Sequence, residues 1–283
     1  MTTVFGENML NNPLSNYFRR PALYFSLPSK GMGYPEGSLN LPENGEIPIY
    51  PMTALDEITA RTPDALFNGV AVVELIRSCA PNILDPWVIP QIDLDPLLLS
   101  IKIATKGSTA EVDTVCPKCG ESHKYDVDLV GMLNSIQSGK YNELHPVNSD
   151  IAIKYKSVPY RTLNKISQEQ FSLQQTFRRI QDTTDEKEKE TKTSGLVKDM
   201  TELASKLTLE MIEYVKTPTD LVLDREFIKE YLLNIPKKEY EFIRDKSIAL
   251  KQETEIKPLE IKCQSCTHEY QQPFDLNISD FFD

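Results

Sequence analysis

The sequence predicts an α+β fold, and three observations carry that expectation. Two turns of the form Cys-x-x-Cys, "CPKCG" from Cys116 and "CQSCT" from Cys263, stand about half the chain apart. Ahead of the first, short apolar runs are cut by Pro and Gly in the manner of β-strands. Between the two turns, from Pro159 to Glu255, apolar residues recur mostly at helical spacing. These divide the chain into a flexible N-terminal arm (1–20), a β-rich mixed domain with short helices and the first cysteine turn (21–158), a helical insertion (159–255), and a closing segment (256–283). The last holds the second cysteine turn and an acidic, aromatic tail.

In the arm, Asn is frequent and Leu10, Leu14, Tyr17 and Phe18 follow no regular period. Such a segment stays mobile or docks on a partner. From Pro21, "ALYFSLPSKGMGYPEGSLNL" and "EIPIYPM" read as interrupted strands, with a turn exposing Lys30. Thr53 and Asp56 have the spacing of a capping box and open a helix. Thr62-Pro63 starts the next, which runs through "ALFNGVAVVELIRSC" and leaves Cys79 a buried small hydrophobe. Asp95-Pro96 repeats the start signal before the apolar "LLLSIKIATKG", which Gly107 stops.

"AEVDTV" and "HKYDVDL" are strands on either side of the first cysteine turn, and a short helix over 130–136 follows. "IAIKYKSV" alternates as a strand. Beyond Pro159 comes an amphipathic helix with Ile166, Phe171, Leu173, Phe177 and Ile180 as candidate core. "DTTDEKEKETKT", residues 182–193, holds no apolar side chain and reads as a solvated link or a frayed helix end. A long helix is expected over 195–216, two more from Asp224 and Pro236, and a strand in "KPLEIK". The long helices either pack on each other or pair with a partner's coiled coil.

The cysteines carry the chemistry. Two residues between a pair let one tight turn aim both sulfurs at a single ion, and zinc accepts whatever tetrahedron four thiolates offer. An ordinary four-cysteine ribbon separates its pairs by roughly 15–20 residues. Here most of the chain would be an insertion within one ribbon, with Cys116, Cys119, Cys263 and Cys266 as ligands of one structural zinc. Gly120 suits the left-handed position that such a turn ends on. Thr267 stands at the matching position of the second turn, so that turn is expected to be looser or differently shaped. Two separate sites, with His123 and His268 as third ligands, are the alternative. Four unmetallated thiols are another.

Other functions find little support in the residues. No phosphate loop, HExxH or GxSxG pattern occurs, and the carboxylates fall in charged runs and caps, so no enzyme is expected. The net charge of −11 over 283 residues works against a grip on nucleic acid. A zinc-ribbon nucleic-acid adaptor is therefore the weaker reading. No apolar run approaches membrane-spanning length and no secretory leader is evident, which points to a reducing cytoplasm where paired cysteines bind metal. Phe281 and Phe282, set among acids, suit a basic apolar groove on a partner, as do Tyr17 and Phe18 in the arm.

The strings "FSLPSKGMGYPEGS", "EIPIYPMTALDEITARTPDALFNGVAVVELIRSCAPNILDPW", "IDLDPLLLSIKIATKG" and "VCPKCGESHKYDVDL" are together specific. Over about 21–129 the chain resembles the baseplate hub protein family of T-even-type contractile-tailed phages. The resemblance implies a non-enzymatic subunit or assembly protein of the tail baseplate hub. Its partners would be other hub proteins and the tape-measure protein. Its location would be the host cytoplasm during assembly and then the virion tail. A transient assembly chaperone absent from the finished particle fits the resemblance too.

Overall fold

The computed structural model describes residues 12–60, 68–137, 139–181 and 186–274. It is a mixed α and β structure, as expected, organised around three apolar cores. No described helix is long and apolar enough to cross a membrane.

The first core gathers the N-terminal part. Strands β1 (Leu23–Ser26) and β2 (Glu46–Ile49) pair antiparallel, with Phe25 opposite Ile47. Phe25, Ile47 and Ile49 pack with helix α2 (Val70–Cys79) and helix α3 (Gln91–Lys106). Helix α1 (Ala54–Ala60) precedes them and begins on the expected box: the Thr53 amide and hydroxyl both donate to Asp56, and the Asp56 amide donates back to Thr53 Oγ1. The Thr62-Pro63 start lies outside the described residues. Cys79 is buried as expected, and Gly107 ends α3 at a positive φ of 103°, its amide donating to Ile103 O.

Helix α3 corrects the start expected at Asp95-Pro96. It begins one turn earlier and contains Pro96. Tertiary partners hold the extra turn: the Gln91 amide donates to Val158 O, the Ile92 amide to Ser157 Oγ, and the Asp93 carboxylate accepts from Ser29. The expected turn around Lys30 sits on that carboxylate, with Lys30 itself exposed.

The end of the arm docks on the body. The Arg19 guanidinium donates to Pro51 O, Ser78 O, Ser78 Oγ and Asp56 and lies over the Tyr50 ring. The expected flexibility therefore does not extend to Arg19.

The second core lies under a four-stranded antiparallel sheet. Its strands are β5 (Leu144–Pro146), β6 (Ala152–Tyr155), β7 (Ile212–Lys216) and β8 (Leu221–Val222), in that order. Ile153, Tyr155, Ile212 and Val215 meet Ile228 and Leu232 of helix α7 (Arg225–Asn234) and Ile243 and Leu250 of helix α8 (Lys237–Thr254). The Asp224 carboxylate caps α7 as expected, accepting from the Glu226 and Phe227 amides. The insertion is therefore not purely helical. Residues 212–216, expected to finish a long helix, form β7, because β6 supplies a paired neighbour on one side and β8 on the other.

Helices α5 (Tyr160–Gln181) and α6 (Glu186–Met211) pack on each other, tied by Lys206 Nζ to Glu169 at 2.6 Å. Helix α6 starts well before Gly195, since Glu and Lys are good helix formers and α5 lies alongside. Ile166 and Ile180 are buried as expected, whereas Phe171 and Phe177 stay half exposed.

Gly69 joins the first two regions. It is left-handed (φ 79°), and a Cβ there would sit 2.7 Å from the Tyr160 hydroxyl and 2.9 Å from Asn164. Asn164 Nδ2 donates to Asn68 O at 2.7 Å, and Trp87 stacks on Tyr160.

Candidate metal centre

The third core brings the two distant cysteine turns together. Strands β3 (Thr109–Val115) and β4 (Ser122–Asp128) form one hairpin, and strands β9 (Leu259–Lys262) and β10 (Glu269–Gln272) form another. Leu99 of α3, Val127, and Leu129 of helix α4 (Leu129–Ser135) are buried against Ile256, Leu259 and Phe274 of the closing segment. Apolar contact thus docks residues 256–274 on the middle of the chain. Across the hairpins, the Tyr125 hydroxyl donates to Lys262 O at 3.0 Å, and Thr114 Oγ1 lies 3.1 Å from the Tyr270 hydroxyl.

Each hairpin ends in the same cysteine turn. In the first, the Gly120 amide donates to Cys116 O and the Cys116 amide to Glu121 O. In the second, the Thr267 amide donates to Cys263 O and the Cys263 amide to His268 O. The expectation of a looser second turn is therefore corrected. Thr267 adopts φ 58° where Gly120 has φ 76°, and its hydroxyl donates to Cys266 O at 2.7 Å. A β-branched residue in the left-handed region is strained. The turn's two backbone hydrogen bonds and that hydroxyl bond hold it there.

The four sulfurs lie within 4.8 Å of one another. Cys116 Sγ is 3.6 Å from Cys266 Sγ, and Cys119 Sγ is 3.6 Å from Cys263 Sγ, although 144 positions separate the second pair. These are free thiols. A tetrahedron with metal–sulfur bonds of roughly 2.3 Å has edges of about 3.8 Å, so the cluster has the size of a four-thiolate metal site. Cys116 and Cys263 are buried, Cys266 is half-buried and Cys119 is exposed.

The sulfurs differ in how readily they ionise. Desolvation opposes a Cys116 thiolate, but the amides of Cys119 and Lys118 and the neighbouring thiols outweigh it and bring its pKa down to about 7. Cys119 moves the opposite way, to about 12: the Glu121 amide favours its thiolate, and desolvation with the three neighbouring sulfurs overcomes that. Thiolates this close repel one another until a metal ion compensates their charge. The Cys266 amide points at Cys263 Sγ at 3.5 Å, the kind of contact that orients a sulfur ligand.

The histidines stand outside this cluster. His123 Nε2 lies 3.1 Å from Ser265 Oγ, and His268 stacks on Tyr270. One four-sulfur constellation is present, and neither histidine belongs to it.

Of the residues expected to bind partners, Tyr17 is 84% exposed and Phe18 is 44% exposed. Phe281 and Phe282 lie outside the described residues. Sequence reasoning missed the Asp93 clamp under the Lys30 turn. Its only signal was an acid at the start of an apolar helix. It also missed Arg19, which nothing in the arm distinguishes from Arg20.

A family model described as T4 bacteriophage base plate protein matches residues 34–283. Neither the curated proteins nor the solved structures gave a match.

Proposed function

The chain belongs to the T4 bacteriophage base plate protein family, and from that premise we propose that it is a structural or assembly protein of the tail baseplate hub, held in shape by one structural zinc. The observation that carries this is the extent of the family match. It spans both cysteine turns and the insertion, well beyond the N-terminal stretch that resembles hub proteins. The "LPSKG" phrase, by contrast, lies just ahead of the matched residues.

Zinc is the metal that the donor set favours. Four cysteine sulfurs at tetrahedral spacing in a protein used under reducing conditions suit it, and Cys116, Cys119, Cys263 and Cys266 would hold it. Such a site leaves no open position for water or substrate, so its role is to clip the third core together and not to catalyse. The work of the protein is then contact with other baseplate hub proteins and with the tape-measure protein, first in the host cytoplasm and then in the virion tail. Tyr17 and Phe18 are docking residues on this reading, as are Phe281 and Phe282.

The test is quantitative mass spectrometry of purified particles and of infected lysate. A hub component appears in particles at a fixed ratio to other baseplate proteins. Presence in lysate with absence from particles would replace the structural role with that of a transient chaperone. A labelled oligonucleotide shifted at physiological salt would favour the nucleic-acid adaptor instead.

A further inference from the structure

The four-stranded sheet ends at β8 in a short, apolar edge. The Thr217 amide donates to Asp220 O at 2.9 Å, closing the turn from β7. Antiparallel ladders alternate between hydrogen-bonded and non-hydrogen-bonded pairs. Thr217 and Asp220 stand at a bonded position, with the Asp220 amide donating to Thr217 Oγ1 at 2.8 Å. Lys216 with Leu221 is therefore a non-bonded one, and Val215 with Val222 is bonded again. Leu221 thus turns its N–H and C=O away from β7, toward solvent. Among the described residues, β7 is the only strand that pairs with β8.

The side chains on this edge are unusual for exposed ones. Val222 packs on the second core. Leu221 and Leu223 point the other way and are 52% and 59% exposed, and Phe227, one helical turn beyond Leu223, is 65% exposed. Natural sheets usually blunt an edge by shortness, charge or proline. The opposite edge does so with Pro146. Edge β8 is short but carries large apolar groups instead. The surrounding charge is negative: Glu213, Asp220, Asp224, Glu226 and Glu230 outnumber Lys216, Arg225 and Lys229. Arg225 is already engaged by Leu209 O and Ile212 O.

We propose that β8 is a docking edge for an extended strand of a partner protein, apolar in its middle and flanked by lysine or arginine. The strand would take up the outward backbone groups of Leu221. Its alternate side chains would cover Leu221, Leu223 and Phe227, and its flanking cations would meet the acidic rim. This surface does not depend on the hub role, because it is tested on the purified chain alone.

The experiment uses the full-length, isotope-labelled protein and two synthetic peptides, Lys-Val-Thr-Val-Thr-Val-Lys and Glu-Val-Thr-Val-Thr-Val-Glu. With the basic peptide, the Leu221 and Leu223 amide signals should shift and their hydrogen exchange should slow by about tenfold or more. The acidic peptide should bind about tenfold more weakly, and added salt should narrow the gap. Leu223→Pro removes an edge amide after a strand residue that tolerates a following proline, and should abolish binding while leaving the melting temperature unchanged. Leu221→Lys places a like charge on the edge and should weaken the basic peptide without unfolding the sheet. No change at these amides at millimolar peptide, or binding that survives both substitutions, overturns the proposal. Exchange that slows with protein concentration alone would assign the edge to a second copy. Exchange already slow in the dilute chain would assign it to another part of this chain. Either result overturns the partner strand.

Discussion

Replacing Asp93 with asparagine should remove a pH dependence of unusual sign. Asp93 has no exposure to solvent, and its carboxylate accepts from the Ser29 amide at 2.8 Å and from the Ser29 hydroxyl. The Tyr34 hydroxyl lies near it without a hydrogen bond of good geometry. Desolvation pushes the Asp93 pKa from 3.8 up to about 6, and the Ser29 hydrogen bonds and Tyr34 only partly counter it. A carboxyl raised in the fold binds its proton there when the unfolded chain has already released it. Between about pH 4 and pH 6 this carboxyl therefore holds more proton in the native state, and its contribution to stability falls as pH rises. The rise in pKa corresponds to about 3 kcal/mol in full, of which about 2 kcal/mol is lost across that window. Wild type and Asp93→Asn should be unfolded in urea at a series of pH values. Other acid-sensitive groups, the thiols included, act in both proteins and cancel in the difference. The stability of wild type minus that of the variant should drop by about 2 kcal/mol from pH 4 to pH 7. A difference that is flat to about 0.5 kcal/mol, or that rises with pH, would refute the account of this carboxylate.

Three further substitutions probe other joints. Gly69→Ala puts a Cβ against Tyr160 and Asn164 in a left-handed backbone, and should cost about 2–4 kcal/mol in chemical denaturation; a loss under about 0.5 kcal/mol would show that the contact between α2 and α5 readily yields. Arg19→Ala leaves Pro51 O and Ser78 O short of a donor, so about 2 kcal/mol should be lost and limited proteolysis should cut before residue 20 much sooner. Thr267→Gly relieves a left-handed threonine but frees the unfolded chain, and should raise stability by at most about 1 kcal/mol with zinc binding retained; weaker zinc binding would mean that the threonine hydroxyl positions Cys266.

Much of this structure could be read in the sequence wherever the signal was local. The Thr53–Asp56 box, the Asp224 cap, the Gly107 stop, the strands on either side of the first cysteine turn and the one ahead of the second depend on neighbours within a few residues. The cysteine cluster was readable for another reason: identical spacing at two places is informative however far apart they lie. What failed was decided at a distance. Residues 212–216 continue an amphipathic run without Gly or Pro, and only pairing with β6 and β8 makes them a strand. The first turn of α3 survives ahead of Pro96 because Ser29, Ser157 and Val158 satisfy it from elsewhere in the chain. Phe171 and Phe177 follow helical spacing, yet 46% and 42% of their surface stays exposed. Thr267 kept its turn because the fold enforces a conformation that its own preference opposes.

If one metal joins the two hairpins, elemental analysis of the purified, reduced protein reveals it. Wild type, Cys116→Ser and Cys263→Ser should be compared. About one zinc per wild-type chain is expected, with loss of that zinc in both variants, since each removes one of four shared ligands. Zinc retained in either variant, or none in freshly reduced wild type, would contradict it.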